Sequence, residues 1–265
     1  MKVKVFFLLF ISASIMQGQT SFVIGHSIAY GSFRDMGTAP ISFKGLLLKP
    51  SAAIEFGGTG RWYSTVESTL SVGIFGMSEK WGFDSYDISE CIRVKTTIKL
   101  DSSFTSSIAI VDFLNVTINP SYENSAAGIS NFLGPELFFG VVKPLSHCFS
   151  SKWFANKSIY AEIGTMPLAF ILRPGYSYID NYTSEQPVLK ALFDDYQWNA
   201  KVFAAFHSDI GFKITTNTDC IIILSYLWDY YSSGKSGFWR FDYASHAFSI
   251  RIQFPTSKPK KTCHI

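Results

Sequence analysis

The sequence predicts an all-β fold, a closed antiparallel transmembrane β-barrel of about ten strands, with eight to twelve strands compatible with the pattern. The 265 residues are 47% hydrophobic and 17% aromatic but only 16% charged, whereas an ordinary soluble domain carries about 25% charged residues. The 25 Phe and 13 Tyr residues favour strands over a helical bundle. Segments in which apolar residues alternate with small or polar ones recur along the chain, which is typical of strands with two different faces.

Residues 1–19 have the pattern of a secretory signal peptide. Lys2 and Lys4 precede an apolar run from Val5 to Ile11, and small or polar residues follow as far as Gly18. This run is too short for a spanning helix, which needs about 20 apolar residues. We therefore expect a signal peptide at 1–19, a transmembrane barrel at 20–254 and a short basic tail at 255–265. Loss of the two lysines lowers the formal net charge from +3 to +1, which excludes nucleic acid as a partner.

Alternation is clearest in the first and last segments after the signal peptide. The non-apolar face of both segments carries mostly small residues, which suit the interior of a narrow closed barrel. The residues expected to face lipid are Phe22, Ile24, His26, Ile28 and Tyr30 in the first segment and His246, Phe248, Ile250, Ile252 and Phe254 in the last.

Ten segments of this kind are predicted, and their connections alternate in length. The connections after the second, fourth and eighth segments are short, whereas those after the third (76–90), fifth (119–134) and seventh (172–196) are long. Short turns at one end and long loops at the other are typical of outer-membrane-type barrels. The 146–157 connection is longer than this pattern predicts. The predicted segments are 21–33, 43–57, 61–75, 91–100, 104–118, 135–145, 158–171, 197–213, 219–231 and 243–254.

Aromatic residues fall at both ends of the expected lipid-facing surface and predict two interfacial girdles. A soluble β-sandwich with aromatic residues at its strand ends is the alternative, but it leaves the scarcity of charge unexplained. The girdles comprise Phe22, Phe56, Trp62, Phe212 and Phe254 at one end and Tyr30, Trp198, Trp228 and Tyr230 at the other.

The closing pattern Ile250-Arg-Ile-Gln-Phe254, with an aromatic last lipid-facing residue, resembles the final strand of Gram-negative outer-membrane β-barrel proteins. The resemblance implies location in the outer membrane of a Gram-negative bacterium and contact with outer-membrane lipid. One departure is that residues 255–265 follow Phe254; on this reading they form a periplasmic tail. The resemblance identifies no activity.

Alternation also places ten charged or titratable side chains inside the barrel. Because a ten-stranded barrel is little wider than one that side chains fill, we expect these groups to pair as a structural plug. A thin conducting water path is the alternative. The group comprises Lys49, Glu55, Glu67, Arg93, Lys95, Lys99, Lys201, His207, Asp209 and Arg251.

The sequence offers weak candidates for catalysis. His207 and Asp209 share a face, a spacing that suits a histidine oriented as a general base and is similar to the arrangement in the ten-stranded omptin proteases. The pair falls in the periplasmic half, however, whereas omptin chemistry lies at the extracellular rim. His26 and His246 are candidates for a lipid-modifying site, but a single histidine on an apolar face is more often a packed residue. We therefore expect a protein that is not an enzyme.

No metal site or cofactor is expected. The four cysteines show no C-x-x-C spacing, and the five histidines form no cluster with ligand spacing. The expected positions of Cys148, Cys220 and Cys263 near the periplasmic end leave two possibilities open, a disulfide among them or free thiols.

Two expected outer loops are candidate partner-binding segments. Arg34 and Asp35 begin a compact loop that is equally compatible with an ordinary hairpin connection. The 172–196 loop is rich in tyrosine, which supplies contact area at low entropic cost, and suits either partner binding or a lid; its candidates are Tyr176, Tyr178, Asp180 and Tyr182. The leading hypothesis is a non-catalytic structural or accessory subunit that binds other outer-membrane or surface proteins. A small passive channel is the alternative, and a lipid- or peptide-acting barrel enzyme is a third.

Overall fold

In a computed structural model, the described residues form ten antiparallel strands closed into one barrel, which confirms the predicted fold class and strand number. These residues are 20–35, 42–57, 61–77, 85–119, 126–148, 151–174, 196–234 and 240–255. The expected signal peptide and nearly all of the expected tail lie outside them.

The strands follow one another around the barrel in chain order. Two short 3-10 turns, Leu145–His147 and Lys152–Phe154, lie between the sixth and seventh strands. The strands are β1 (Thr20–Asp35), β2 (Ser42–Phe56), β3 (Trp62–Met77), β4 (Ser85–Lys99), β5 (Phe104–Asn119), β6 (Ala126–Pro144), β7 (Lys157–Pro174), β8 (Tyr196–Thr215), β9 (Ile221–Ser232) and β10 (Phe241–Pro255).

Closure is made by the first and last strands. Phe22 pairs with Phe254 and Ile28 with Phe248, so the lipid-facing residues of both strands lie side by side. Every strand has a hydrogen-bonded neighbour on both sides, which removes the open edges that a membrane does not tolerate.

Two predicted segments were too short. β4 begins at Ser85 rather than residue 91, and β6 begins at Ala126 rather than residue 135. In β4, Tyr86 and Ile88 face outward while Asp87 and Ser89 are buried inside. Alternation therefore continues, but because its inward residues are polar the segment resembles a loop in sequence. The expected long connections at 76–90 and 119–134 are correspondingly wrong in their bounds.

The short connections, the start of β1 and the end of β10 lie at one end of the barrel, which is the periplasmic end in this architecture. In the 100–103 turn, the Asp101 side chain accepts hydrogen bonds from the backbone N–H groups of Ser103 and Phe104 at 2.6 and 2.7 Å. The longer 145–156 connection, which departs from the predicted pattern, contains both 3-10 turns.

The outer surface is apolar over the middle of the strands. Side chains predicted to face lipid are exposed there, including Phe248 at 75% and Ile28 at 58% of their surface. The girdle residues Phe22, Trp62 and Trp228 are also exposed on this surface, whereas the side chain of Trp198 is outside the described residues. No helix in the described part of the chain is long and apolar enough to cross a membrane.

Candidate functional site: the barrel interior

The outer half of the interior is filled by rings, which we call the aromatic plug. Phe33 stacks on Phe43 with ring centroids 5.0 Å apart, and Phe132 contacts Phe241 at 5.6 Å. Phe33 and Phe43 are directly opposite each other on neighbouring strands, whereas Phe132 of β6 and Phe241 of β10 meet across the interior. All eight rings are at most 4% exposed, so each is closely packed against its neighbours. The aromatic plug consists of Phe33, Phe43, Phe75, Phe113, Phe132, Tyr231, Phe241 and Tyr243.

The periplasmic half contains a cavity of about 230 Å³ lined by charged and polar groups. Its lining reaches Val23, Tyr63 and Gln253 near the periplasmic strand ends, while Phe113 and Tyr231 of the aromatic plug bound it on the outer side. The interior thus has a polar cavity toward the periplasm and a packed outer half, in which the rings lie among buried polar groups such as Asp87, Asn115 and Arg173.

One cluster joins four strands, β2, β8, β9 and β10, around Asp229. Lys49 donates to Asp229 at 2.8 Å and to the Ser245 hydroxyl at 2.7 Å. His207 Nδ1 lies 2.6 Å from the other oxygen of Asp229. This carboxylate is mostly buried at the cavity wall and has two basic partners, an arrangement that compensates for burying its charge.

A second cluster forms around Arg251 of β10. Its terminal nitrogen donates to Asp209 at 2.5 Å, to the Tyr160 hydroxyl at 2.6 Å and to Ser225 at 3.0 Å. The Tyr160 hydroxyl in turn donates to Asp209 at 2.8 Å. Arg251 fits beside β1 because its neighbour Gly25 has no side chain; a Cβ there would collide with the arginine stem.

Three further ion pairs, formed by Arg93 and Lys95, belong to the same network. Arg93 donates to Glu136, which is fully buried, at 3.1 Å and lies 3.6 Å from Glu67. Lys95 forms an ion pair with Glu162 across the cavity at 2.5 Å. Positive and negative side chains therefore neutralise one another around the cavity, as a structural network requires.

The structure brings eight of the ten predicted interior residues to the cavity wall, and Lys99 and Lys201 lie away from it. The Lys99 amine lies 5.5 Å from the Tyr63 ring centroid, and the Lys201 amine donates to Ser232 at 3.3 Å. A β-bulge between β7 and β8, where Phe203 has φ 54°, shifts the alternation near Lys201.

His207 and Asp209, the weak catalytic candidates of the sequence, do not contact each other through a hydrogen bond and have different partners. These residues are two apart on one strand, but the histidine turns to Asp229 on the neighbouring β9, while Asp209 is held by Arg251. The reason is the register: His207 is directly opposite Asp229 in the β8–β9 ladder.

Sequence reasoning missed four charged residues of the cavity network. Alternation had already placed Trp228 and Tyr230 outward, so Asp229 between them was predictable as an interior residue. Lys213 follows the outward Phe212 in the same way. The other two missed residues are Glu136 on β6 and Glu162 on β7.

No feature of the described interior suggests a metal centre. Among the described residues, no group of three or more His, Cys, Asp or Glu side chains is arranged to hold a metal ion. Cys91, Cys148 and Cys220 are free thiols, whereas Cys263 lies outside the described residues. The Cys91 sulfur lies 3.8 Å from the Tyr231 hydroxyl, next to the aromatic plug.

The described residues include only the edges of the candidate partner-binding loops. Arg34 Nε donates to the Ser42 hydroxyl at 2.9 Å, which ties the ends of β1 and β2 together. The Asp35 side chain and the tyrosine-rich candidates Tyr176, Tyr178, Asp180 and Tyr182 lie outside the described residues.

A closed antiparallel barrel with an apolar outer belt and an ionic interior is a membrane-spanning barrel of the outer-membrane type. No protein-family model and no curated relative matches the sequence. Among solved structures, the translocator domain of the autotransporter NalP from Neisseria meningitidis is similar at 6% identity and TM-score 0.48, covering 96% of this chain and 95% of that one.

Two other solved structures align over comparable lengths. A FadL homologue from Pseudomonas aeruginosa has 6% identity and TM-score 0.33, covering 91% of this chain and 90% of that one. The toluene transporter TbuX from Ralstonia pickettii has 8% identity and TM-score 0.34 with the same coverage. With identities of 6–8% and TM-scores below 0.5, these likenesses assign no activity. The assignment as an outer-membrane-type barrel rests on the strand pairing and on the different chemistry of the two strand faces.

Proposed function

We propose that this protein is a non-conducting, non-catalytic outer-membrane barrel that acts as a structural or accessory subunit and contacts a partner with its outer loops. The observation that carries the proposal is the aromatic plug. A permeation path needs polar or open space along the whole barrel, whereas the outer half holds rings packed at centroid distances of about 4–6 Å.

The ionic network supports the same proposal. Three of its ion pairs, Lys49–Asp229, Arg93–Glu136 and Arg251–Asp209, have N···O distances of 2.5–3.1 Å and join strands that are not neighbours in the sheet. Groups held in this way stabilise one shape of the barrel; a general base instead needs a substrate proton within hydrogen-bond reach.

Conductance across a planar lipid bilayer tests the proposal against the channel alternative. The wild-type barrel is expected to be electrically silent. A variant in which Phe113, Phe132, Tyr231 and Phe241 are all replaced by Ala is expected to conduct, because it removes both of the ring contacts that cross the interior. Steady conductance of the wild type would contradict the proposal.

Partner binding is tested by co-purification from native membranes in mild detergent. The full chain is compared with a variant in which Tyr176, Tyr178 and Tyr182 are all replaced by Ser. A protein that accompanies the wild type and is lost with the variant supports the accessory role, and recovery of a clean monomer in both cases contradicts it.

A further inference from the structure

The lipid-facing surface has an apolar groove over β6–β10, in the periplasmic half of the barrel. The groove has a volume of about 700 Å³. Its lining includes Val141, Ile159, Ala161, Ile210, Phe212 and Phe248.

The groove follows from side-chain size. Val141, Ala161 and Ile210 are directly opposite one another in the ladders of β6, β7 and β8. Ala161 lies between two exposed isoleucines, Ile159 and Ile163, along β7. The small side chain therefore makes a depression among larger neighbours in the belt.

Two lysines lie at the periplasmic end of the groove. Lys143 is exposed on β6 and lies directly opposite Ile159, a groove residue. Lys157 begins β7, two residues before Ile159, and its amine lies over the ring of Trp153. No Asp or Glu occurs at the outward positions of described residues 137–143 and 157–163, so the two cations face no acidic neighbour on these strands.

Trp153 lies in the 145–156 connection, which is longer than the strand pattern predicts. The side chain is 67% exposed in the second 3-10 turn. A tryptophan with adjacent lysines at the end of an apolar belt is typical of the level of lipid headgroups.

We propose that this groove, together with Lys143 and Lys157, is a binding site for one anionic phospholipid of the periplasmic leaflet. An acyl chain lies against Ala161 between the larger apolar side chains. The phosphate lies between the two lysine amines, each of which attracts an anionic headgroup. This assignment depends on the membrane-spanning barrel and is independent of whether the interior conducts.

The test measures bound lipid by native mass spectrometry of the full chain. The folded barrel is incubated in mild detergent with equal amounts of phosphatidylglycerol and phosphatidylethanolamine. One variant carries Lys143→Gln and Lys157→Gln, and its control carries Lys44→Gln, which removes an exposed lysine at the opposite end of the barrel. A second variant, Ala161→Trp, fills the groove, and its control is Ala52→Trp at an exposed outward position of β2.

The wild type is expected to retain one phosphatidylglycerol molecule in preference to phosphatidylethanolamine. The double lysine variant is expected to bind phosphatidylglycerol about tenfold more weakly and to lose the preference. Ala161→Trp is expected to reduce retention of both lipids, and both controls are expected to behave as the wild type. Lys143→Arg with Lys157→Arg keeps both charges and is expected to restore binding, which separates loss of charge from loss of fold.

Several results would overturn the assignment. They are absence of retained phospholipid on the wild type, unchanged preference in the double lysine variant, equal losses in the control variants, or a dimer of the chain that occupies this face in place of lipid.

Discussion

Phe113 of β5 and Tyr231 of β9 stack face to face across the barrel interior, with ring centroids 4.1 Å apart and ring planes 5° from parallel. The two strands are not neighbours in the sheet. The contact therefore joins opposite walls and separates the cavity from the outer half. The same contact therefore both stabilises the barrel and blocks the interior between the cavity and the outer half.

Phe113→Ala is expected to lower the free energy of unfolding by about 3–5 kcal/mol, the usual cost of removing a buried ring. In a double-mutant cycle with Tyr231→Ala, the stacked pair is expected to show a coupling of about 0.5–1.5 kcal/mol. Urea unfolding of the barrel in lipid vesicles measures both quantities. Strictly additive losses would mean that the two rings do not interact.

Removing one partner of the buried Arg251–Asp209 pair is expected to be costly. Asp209→Ala leaves the guanidinium without its carboxylate, and the expected loss of stability is about 3–5 kcal/mol. The same vesicle unfolding experiment measures it.

The matched control replaces both partners, with Asp209→Leu and Arg251→Met. The double variant is expected to lose much less than the single variant, because no uncompensated charge remains. An equal loss in both would show that the pair itself is not the source of the effect.

The strand faces were predictable from sequence, whereas the ionic partners were not. Alternation needs only neighbouring residues, so it placed Ile24 and Ile250 outward and Lys49 and Arg251 inward. Partner choice depends on register between strands distant in sequence: Lys49 of β2 reaches Asp229 of β9, 180 residues away. The start of β4 was missed because Asp87 is polar yet fully buried, a combination that resembles a loop in sequence.

Asp112 is a charged residue on the lipid-facing side near the middle of β5. It accepts a hydrogen bond from Asn131 of β6 at 2.6 Å, while its outward neighbour Ile110 is 49% exposed in the apolar belt. Because a charge facing lipid is unfavourable, Asp112→Leu with Asn131→Leu is expected to raise the free energy of unfolding by about 1–2 kcal/mol.

Thermal or urea unfolding in vesicles checks this gain. The control is Asn115→Leu on the same strand, which faces inward and donates to Asp87; it is expected to destabilise the barrel. If the two variants shifted stability in the same direction, the assignment of the two faces of β5 would fail.

Gly45 of β2 lies where β2 and β3 approach closely. A Cβ at this position would collide with the carbonyl group of Ile74 and the backbone of Phe75. Gly45→Ala is therefore expected to cost about 1–3 kcal/mol through displacement of the ladder. The control is Ser51→Ala, on the same strand and face, which is expected to change the free energy of unfolding by less than about 0.5 kcal/mol. Equal effects of Gly45→Ala and Ser51→Ala would argue against the close approach of β2 to β3 at Gly45.

Nitroxide labels placed one at a time at residues 106–114 of β5 test the two-faced barrel most directly. Electron paramagnetic resonance of the barrel in lipid vesicles then measures collision with dissolved oxygen, which concentrates in the hydrocarbon core. In a two-faced barrel the accessibility maxima are expected at Ile108, Ile110 and Leu114 and the minima at Ser107, Ala109, Val111 and Phe113. Maxima at the odd-numbered positions, or no alternation, would contradict it.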